Sequence, residues 1–346
     1  MISSSFTLNE IRDTPNALKR VIGELPRIRE IADTIVNRGI NRLFLSGCGS
    51  SFYAAMTGHY VLVDTKINAL ALPSSELLFY YTDAINSSSA VIALSRSGRT
   101  SETLAALRKA KEKGALTIGI TCSKDSPLER EAHHSLLLSI GEEQSIVMTK
   151  SFSSLALSTI LLCGEVKRSI GKELESNWIP ENLPFAASNI LKLENKVREI
   201  ASELLDKRTF IFLGTGSAYP IALEGALKLM ETSYVVTKAL HSLEFRHGPI
   251  AAVDKNVGLI IIAHKGKSSS ALINLIRDLK AQKLVPIVIS NIEELEKDIE
   301  IPLDVNEALL PPVVIIPLQL MAYYVSTLKG LNPDKPRRLS KFVGRF

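Results

Sequence analysis

Apolar runs of a few residues alternate along this chain with longer stretches in which apolar positions recur every third or fourth residue. Residues 42–46, 67–72, 90–94, 116–121 and 135–138 read as strands, and the intervals 52–63, 75–81 and 101–113 read as helices. Short, near-continuous apolar strands alternating with helices predict a parallel sheet covered on both faces. Ahead of them, residues 2–40 read as helices, with Leu8, Ile11, Leu18, Val21 and Ile22 in helical spacing and Ile28, Ile31, Ile35 and Val36 following Pro26. Beyond them, 152–169 is predicted as one helix and 183–207 as another. The Pro- and Asn-containing connection 177–184 between those two marks a domain boundary.

The second half repeats the first. Strand 210–213 with Gly214-Thr215-Gly216-Ser217 echoes 43–45 with Gly47-Cys48-Gly49-Ser50. Strand 258–263 with His264-Lys265-Gly266-Lys267-Ser268 echoes 91–94 with Ser95-Arg96-Ser97-Gly98-Arg99-Thr100. Two matched pairs in the same order predict duplication of one α/β unit. The expected divisions are a helical arm at 1–40, domains at 41–180 and 181–330, and a tail at 331–346. Ligands of open parallel sheets bind at the carboxyl ends of the strands, so the glycine turns and the loops after the second-type strands are the candidate site.

Composition narrows the class. With 346 residues, 46% hydrophobic and 22% charged, the chain is a globular protein and not a disordered one. The apolar stretches 257–263 and 312–320 read as too short or too interrupted to span a bilayer, and no signal-peptide core stands at the start, so a cytoplasmic protein without a membrane partner is expected. Cys48, Cys122 and Cys163 lack metal-ligand spacing, which predicts reduced thiols and neither a disulfide framework nor a metal site. The net charge of +5 is modest, and its one conspicuous cluster is the tail 335–345. Such a tail suits nucleic acid or a phosphorylated small molecule equally.

Two stretches carry chemistry. A helix starting near Tyr219-Pro220 places Glu224, Lys228 and Glu231 on one face at i, i+4 and i+7. That face is either an exposed ladder of ion pairs or the wall of a cleft. The apolar character of the rest of the helix, with Ala222, Leu223, Ala226, Leu227, Leu229 and Met230, favours the cleft and proton transfer. Downstream, His247 precedes the turn formers Gly248-Pro249, where the backbone is not expected to be helical. In the first half, Ser95–Thr100 joins a buried strand to a helix. There, backbone N–H groups, three hydroxyls and the guanidinium groups of Arg96 and Arg99 can converge on one anion, with Ser50 and Ser51 on the neighbouring turn. A phosphate fits better than a dinucleotide, because Phe52 and Tyr219 stand where a third glycine belongs.

Six motifs, Gly47–Ser51, Ser95–Thr100, Thr149–Phe152, Ala222–Leu229, His247–Pro249 and Pro336–Lys341, together resemble the isomerase half of glucosamine-6-phosphate synthase, in the SIS (sugar isomerase) family. The resemblance covers residues 5–346. It implies two tandem SIS domains, each a flavodoxin-like α/β/α sandwich, that take a sugar 6-phosphate without metal or cofactor and without a nucleic-acid partner. It further implies that Ser51, Ser95, Ser97 and Thr100 hold the phosphate, that Glu231 moves the proton between C1 and C2, and that Lys228 supports it. By the same resemblance His247 assists ring opening, from the neighbouring subunit of a homodimer, and Lys341 forms a Schiff base with the keto sugar. The tail is then a lid, with Leu339, Phe342, Val343 and Phe346 expected to be buried. The synthase branch carries Gln and Glu where Arg96 and Arg99 stand, and Ser where Met148 stands. With only about forty residues ahead of the first strand, glutamine-dependent synthesis by this chain alone is not expected, and glucosamine-6-phosphate deamination is; the alternatives are an isomerase subunit of an aminotransferase that takes ammonia from elsewhere and a non-catalytic sugar-phosphate sensor.

Overall fold

The computed structural model describes residues 5–301 and 304–345. The first five strands are β1 (Arg42–Gly47), β2 (Asn68–Pro73), β3 (Ser89–Ser95), β4 (Leu116–Thr121) and β5 (His134–Leu137). They are parallel throughout and ordered β2-β1-β3-β4-β5. The next five are β6 (Thr209–Gly214), β7 (Val236–His241), β8 (Val257–Ala263), β9 (Ile287–Ser290) and β10 (Ile299–Glu300), also parallel, in the order β10-β9-β8-β6-β7. Read from its other edge, the second sheet has the order of the first, with each strand replaced by the one five places on. The duplication expected from two matched turns therefore extends to the whole sheet, and the α/β class is as expected.

Each sheet is the middle of three layers. Every residue of β3 is buried, as a central strand covered on both sides requires. Phe44 and Val91 pack with Leu77, Ala106 and Ala110 of helices Ser74–Phe79 and Ser101–Glu112, while Leu45, on the opposite face of its strand, lies against Gly58 of helix Ser50–Leu62. In the second sheet Ile211, Leu213, Leu259 and Ile261 pack on Leu272, Leu275, Ile276 and Leu279 of helix Ser269–Ala281. Full burial of each such side chain contributes about 1.5–3 kcal/mol.

The chain forms two compact units. The first comprises Asn16–Glu143, Lys150–Glu181 and the chain from Ser340 onward; the second comprises the chain up to Pro15, Gln144–Thr149 and Asn182–Leu339. The N-terminal helices, expected as one arm, are thus divided. Helix Phe6–Arg12 belongs to the second unit, where the Glu10 carboxylate accepts hydrogen bonds from the backbone of Gln144 and Ser145, and Arg12 pairs with Glu194 at 2.6 Å. Helix Leu25–Asn37 belongs to the first, with Ile28, Ile31 and Ile35 fully buried.

Several elements differ from the sequence expectation. Strands β7, β9 and β10 lie at or toward one edge or the other of the second sheet, and β7 alternates exposed and half-buried positions, so no continuous apolar run announces it. The helix expected at 183–207 is two, Leu183–Leu191 and Glu194–Glu203, because Lys192 and Leu193 bond three residues back and tighten the turn. Buried Ile190 and Val197 are seven residues apart, two helical turns, so the periodicity runs unbroken across the junction. The stretch 312–320 belongs to an 18-residue helix, Pro311–Leu328, that continues through Pro317 and is long and apolar enough to cross a membrane. It is nevertheless 83% buried, packed on helices Ala218–Ser233 and Glu194–Glu203 as a core helix. The three cysteines are free thiols, as expected.

Candidate active site

In the first unit the candidate phosphate loop closes on itself. Gly49 takes φ 54°, which allows the chain to enter helix Ser50–Leu62 at once and places Ser50 and Ser51, each 6% exposed, in its first turn. After β3, Ser95 Oγ accepts from the Gly98 N–H at 3.1 Å and shares a hydrogen bond with Thr100 Oγ1 at 3.1 Å, while Ser97 Oγ accepts from the Arg99 N–H at 3.2 Å. Thr100 is the N-cap residue of helix Ser101–Glu112, and its side chain makes no capping bond. The expected hydroxyls of Ser95, Ser97 and Thr100 are therefore gathered on one turn at a helix N-terminus, a geometry suited to an anion. Arg99 is exposed, and Arg96 donates from Nη1 to Glu143 Oε2 at 2.9 Å and from Nη2 to the Lys341 carbonyl at 3.0 Å.

Gly98 holds this turn at φ 61°, and a Cβ on it would sit 2.2 Å from Ser126 Oγ and 3.0 Å from Thr121 Oγ1. Gly98→Ala combines the left-handed penalty of about 1–2 kcal/mol with overpacking of about 1–3 kcal/mol. Urea unfolding should show a loss of that combined order; a wild-type midpoint would mean that the turn relaxes freely.

Glu143 is the residue that sequence reasoning missed. Its side chain is 4% exposed, and Ser151 meets it with both its hydroxyl and its N–H, the latter at 3.1 Å. Burial alone would raise its carboxyl, yet the Arg96 guanidinium and the Ser151 donors outweigh burial and hold it below the ordinary glutamate range. In sequence it is one of two glutamates in Gly141-Glu142-Glu143-Gln144, a segment that reads as loop.

In the second unit, helix Ala218–Ser233 brings the expected charges together. Lys228 Nζ lies 2.6 Å from Glu231 Oε2 and 3.4 Å from Glu224 Oε1. Glu224 is fully buried, the Lys228 side chain is 3% exposed, and that of Glu231 is 19% exposed. The face is thus no solvated ladder: one carboxylate reaches the surface with a buried ammonium behind it. His247 stands apart on an exposed turn between the 3-10 turns Glu244–Arg246 and Pro249–Ala252. Among the described residues, no hydrogen bond or ion pair joins its imidazole to Lys228 or Glu231.

The tail docks, though not as expected. In the second unit the Arg337 N–H donates to Tyr234 Oη at 2.9 Å and its guanidinium lies 4.1 Å from the centre of that ring. In the first unit Lys341 Nζ donates to the Glu143 carbonyl at 2.9 Å, and the Ser101 N–H donates to the Val343 carbonyl at 3.1 Å. Leu339, Phe342 and Val343 are 40%, 42% and 57% exposed, contrary to the expected burial, so main-chain groups and charges hold the segment. Phe346, the fourth of that set, lies outside the described residues.

The second unit has a counterpart loop. Setting Gly47 against Gly214, the pairing of Ser46 with Ala93 and of Leu213 with Ile261 makes His264 the equivalent of Arg96. Here too a glutamate meets it: His264 Nε2 lies 3.5 Å from Glu307 Oε2 and 3.2 Å from Ser217 Oγ, which donates to the Glu307 carbonyl at 2.7 Å. The hydrogen bond from His264 holds the Glu307 carboxyl below its ordinary range, against partial burial, with the Lys267 N–H adding to the effect. A Cβ on Gly266 would come within 1.8 Å of Glu307 Oε2, so the carboxylate fills the loop itself.

The chain matches the SIS domain family over residues 38–163 and 203–329. It is 35% identical over 345 residues to glutamine–fructose-6-phosphate aminotransferase (isomerizing) of Pyrococcus horikoshii, covering 98% of this chain and 57% of that protein. The chain therefore spans a little over half the length of such relatives. Among solved structures it resembles the C-terminal domain of glucosamine-fructose-6-phosphate aminotransferase from Francisella tularensis, with TM-score 0.85, 28% identity and coverage of 97% and 99% of the two chains. It also resembles glucosamine-6-phosphate deaminase from Thermotoga maritima, with TM-score 0.79, 30% identity and coverage of 98% and 99%. With two sheets of one topology, each covered by a family match, the chain belongs to the SIS (sugar isomerase) domain family.

Proposed function

We propose that the protein is a sugar-phosphate isomerase that deaminates glucosamine 6-phosphate to fructose 6-phosphate and ammonia. The observation that carries this reading is the Glu231 carboxylate, partly exposed and held 2.6 Å from a buried ammonium, in a chain similar from end to end to a glucosamine-6-phosphate deaminase. Aldose–ketose interconversion needs one base that takes a proton from C2 and returns it to C1 on the same face. Glu231 has that role, and Lys228 fixes its carboxylate and stabilises its charge.

The roles of the remaining residues follow the family resemblance. Ser51, Ser95, Ser97 and Thr100, with Ser50, bind the phosphate, and His247 assists ring opening. After proton transfer the amino group is an imine at C2. The Lys341 amine adds to that carbon and ammonia leaves, and water then hydrolyses the lysine imine to fructose 6-phosphate and free lysine. One water is consumed for each ammonia released.

The 35% identity to the Pyrococcus horikoshii aminotransferase favours a second reading, in which the same groups act in an aminotransferase on fructose 6-phosphate. Incubation with glucosamine 6-phosphate separates the two. Ammonia and fructose 6-phosphate should appear in equal amounts. Exchange of the C2 proton with solvent and no ammonia favours the aminotransferase, and neither signal removes both.

A further inference from the structure

Arg96 and Glu143 form a largely buried ion pair that reaches the tail. The Arg96 guanidinium bridges the Glu143 carboxylate, at 2.9 Å, and the Lys341 carbonyl, at 3.0 Å. The Glu143 carbonyl in turn accepts from Lys341 Nζ at 2.9 Å. Lys341 is thus held at both ends, by its own carbonyl and by its amine. The exposed side chains around it supply no apolar anchor, so this charge-assisted arrangement and the Val343 carbonyl on the Ser101 N–H fix the segment. The pairing also has a chemical sense. Arg96 takes the Glu143 carboxylate, so a neutral carbonyl orients the lysine amine, which is not locked into an ion pair with the carboxylate.

We propose that Glu143, with Arg96, is a positioning residue that holds Lys341 ready to attack C2, and that Arg96 acts on the tail rather than as a phosphate ligand. This rests on the deaminase reading for the attack itself; the placement of the tail stands without it. Ser151 fixes the carboxylate from the helix side and makes the anchor rigid.

The test uses the full chain carrying Glu143→Gln together with Arg96→Gln. Changing both removes the two charges of the pair together, where Glu143→Gln alone removes only one of them. Trypsin cleavage after Lys341, followed by mass spectrometry, reads the tail, because cleavage tracks the undocked population. It should quicken about tenfold or more in the double variant, with the rest of the digest unchanged, and a wild-type rate overturns the anchor. This arm needs no turnover, so it also decides the matter if the deaminase reading fails. With glucosamine 6-phosphate, kcat should fall about tenfold or more while KM stays close to wild type, a loss confined to the bound state. A raised KM at unchanged kcat overturns the proposal by returning Arg96 to the phosphate. Faster cleavage with both constants unchanged overturns the link to catalysis.

Discussion

Glu231→Gln should turn over glucosamine 6-phosphate on the order of a hundredfold or more slowly than wild type, the loss expected for a missing general base. The substitution keeps shape and volume, so the fold is retained. Lys228 keeps a partner after the change, since Glu224 Oε1 remains 3.4 Å from its ammonium. The buried cation is therefore not stranded, and the denaturation midpoint should stay near wild type. The measurement that isolates the step is exchange of the C2 proton with deuterated solvent, followed by NMR, because it precedes ammonia release. Exchange at the wild-type rate in the glutamine variant would place the base elsewhere.

The second large effect concerns the tail. Protein ending at Ser340 should have no measurable deaminase activity and an unfolding midpoint close to wild type. Stability survives because Phe342 and Val343, which the truncation removes, are exposed and contribute little burial. Activity does not, because the truncation removes the amine proposed to carry C2. Borohydride added to wild type with fructose 6-phosphate should leave a stable adduct on Lys341, found by peptide mass. Full activity in the truncated protein, with no adduct in wild type, would leave the chemistry to Glu231 and His247.

Much of the architecture is legible in sequence because central strands are buried on both faces and leave continuous apolar runs: β1, β3, β4, β6 and β8 can all be read directly. The helix bearing Glu224, Lys228 and Glu231 is legible for a related reason, since helical spacing alone puts the three on one face. Edge strands are less dependable: β2 and β5 read as strands at 67–72 and 135–138, and β7 does not. In β7, Val236 is 68% exposed and Lys238 is exposed too, a pattern shared with many loops. Phosphate-type turns show themselves through Gly, Ser and Thr, whereas the groups that set their charge come from distant segments. Glu143 lies 47 residues from the Arg96 it neutralises, and no local pattern pairs them. The same holds for Asp334, which accepts from the Thr7 N–H at 2.8 Å across 327 positions.

The Glu307 carboxylate seated in the second loop behaves as a tethered ligand. Carried by the same folded chain, it is in place independent of how much free anion surrounds the protein. A dissolved phosphate monoester must outcompete it and also take over its hydrogen bond from His264. The two halves of a duplicated chain are thereby made unequal without any change of topology: the twin of the hydroxyl-lined loop carries a carboxylate of its own chain.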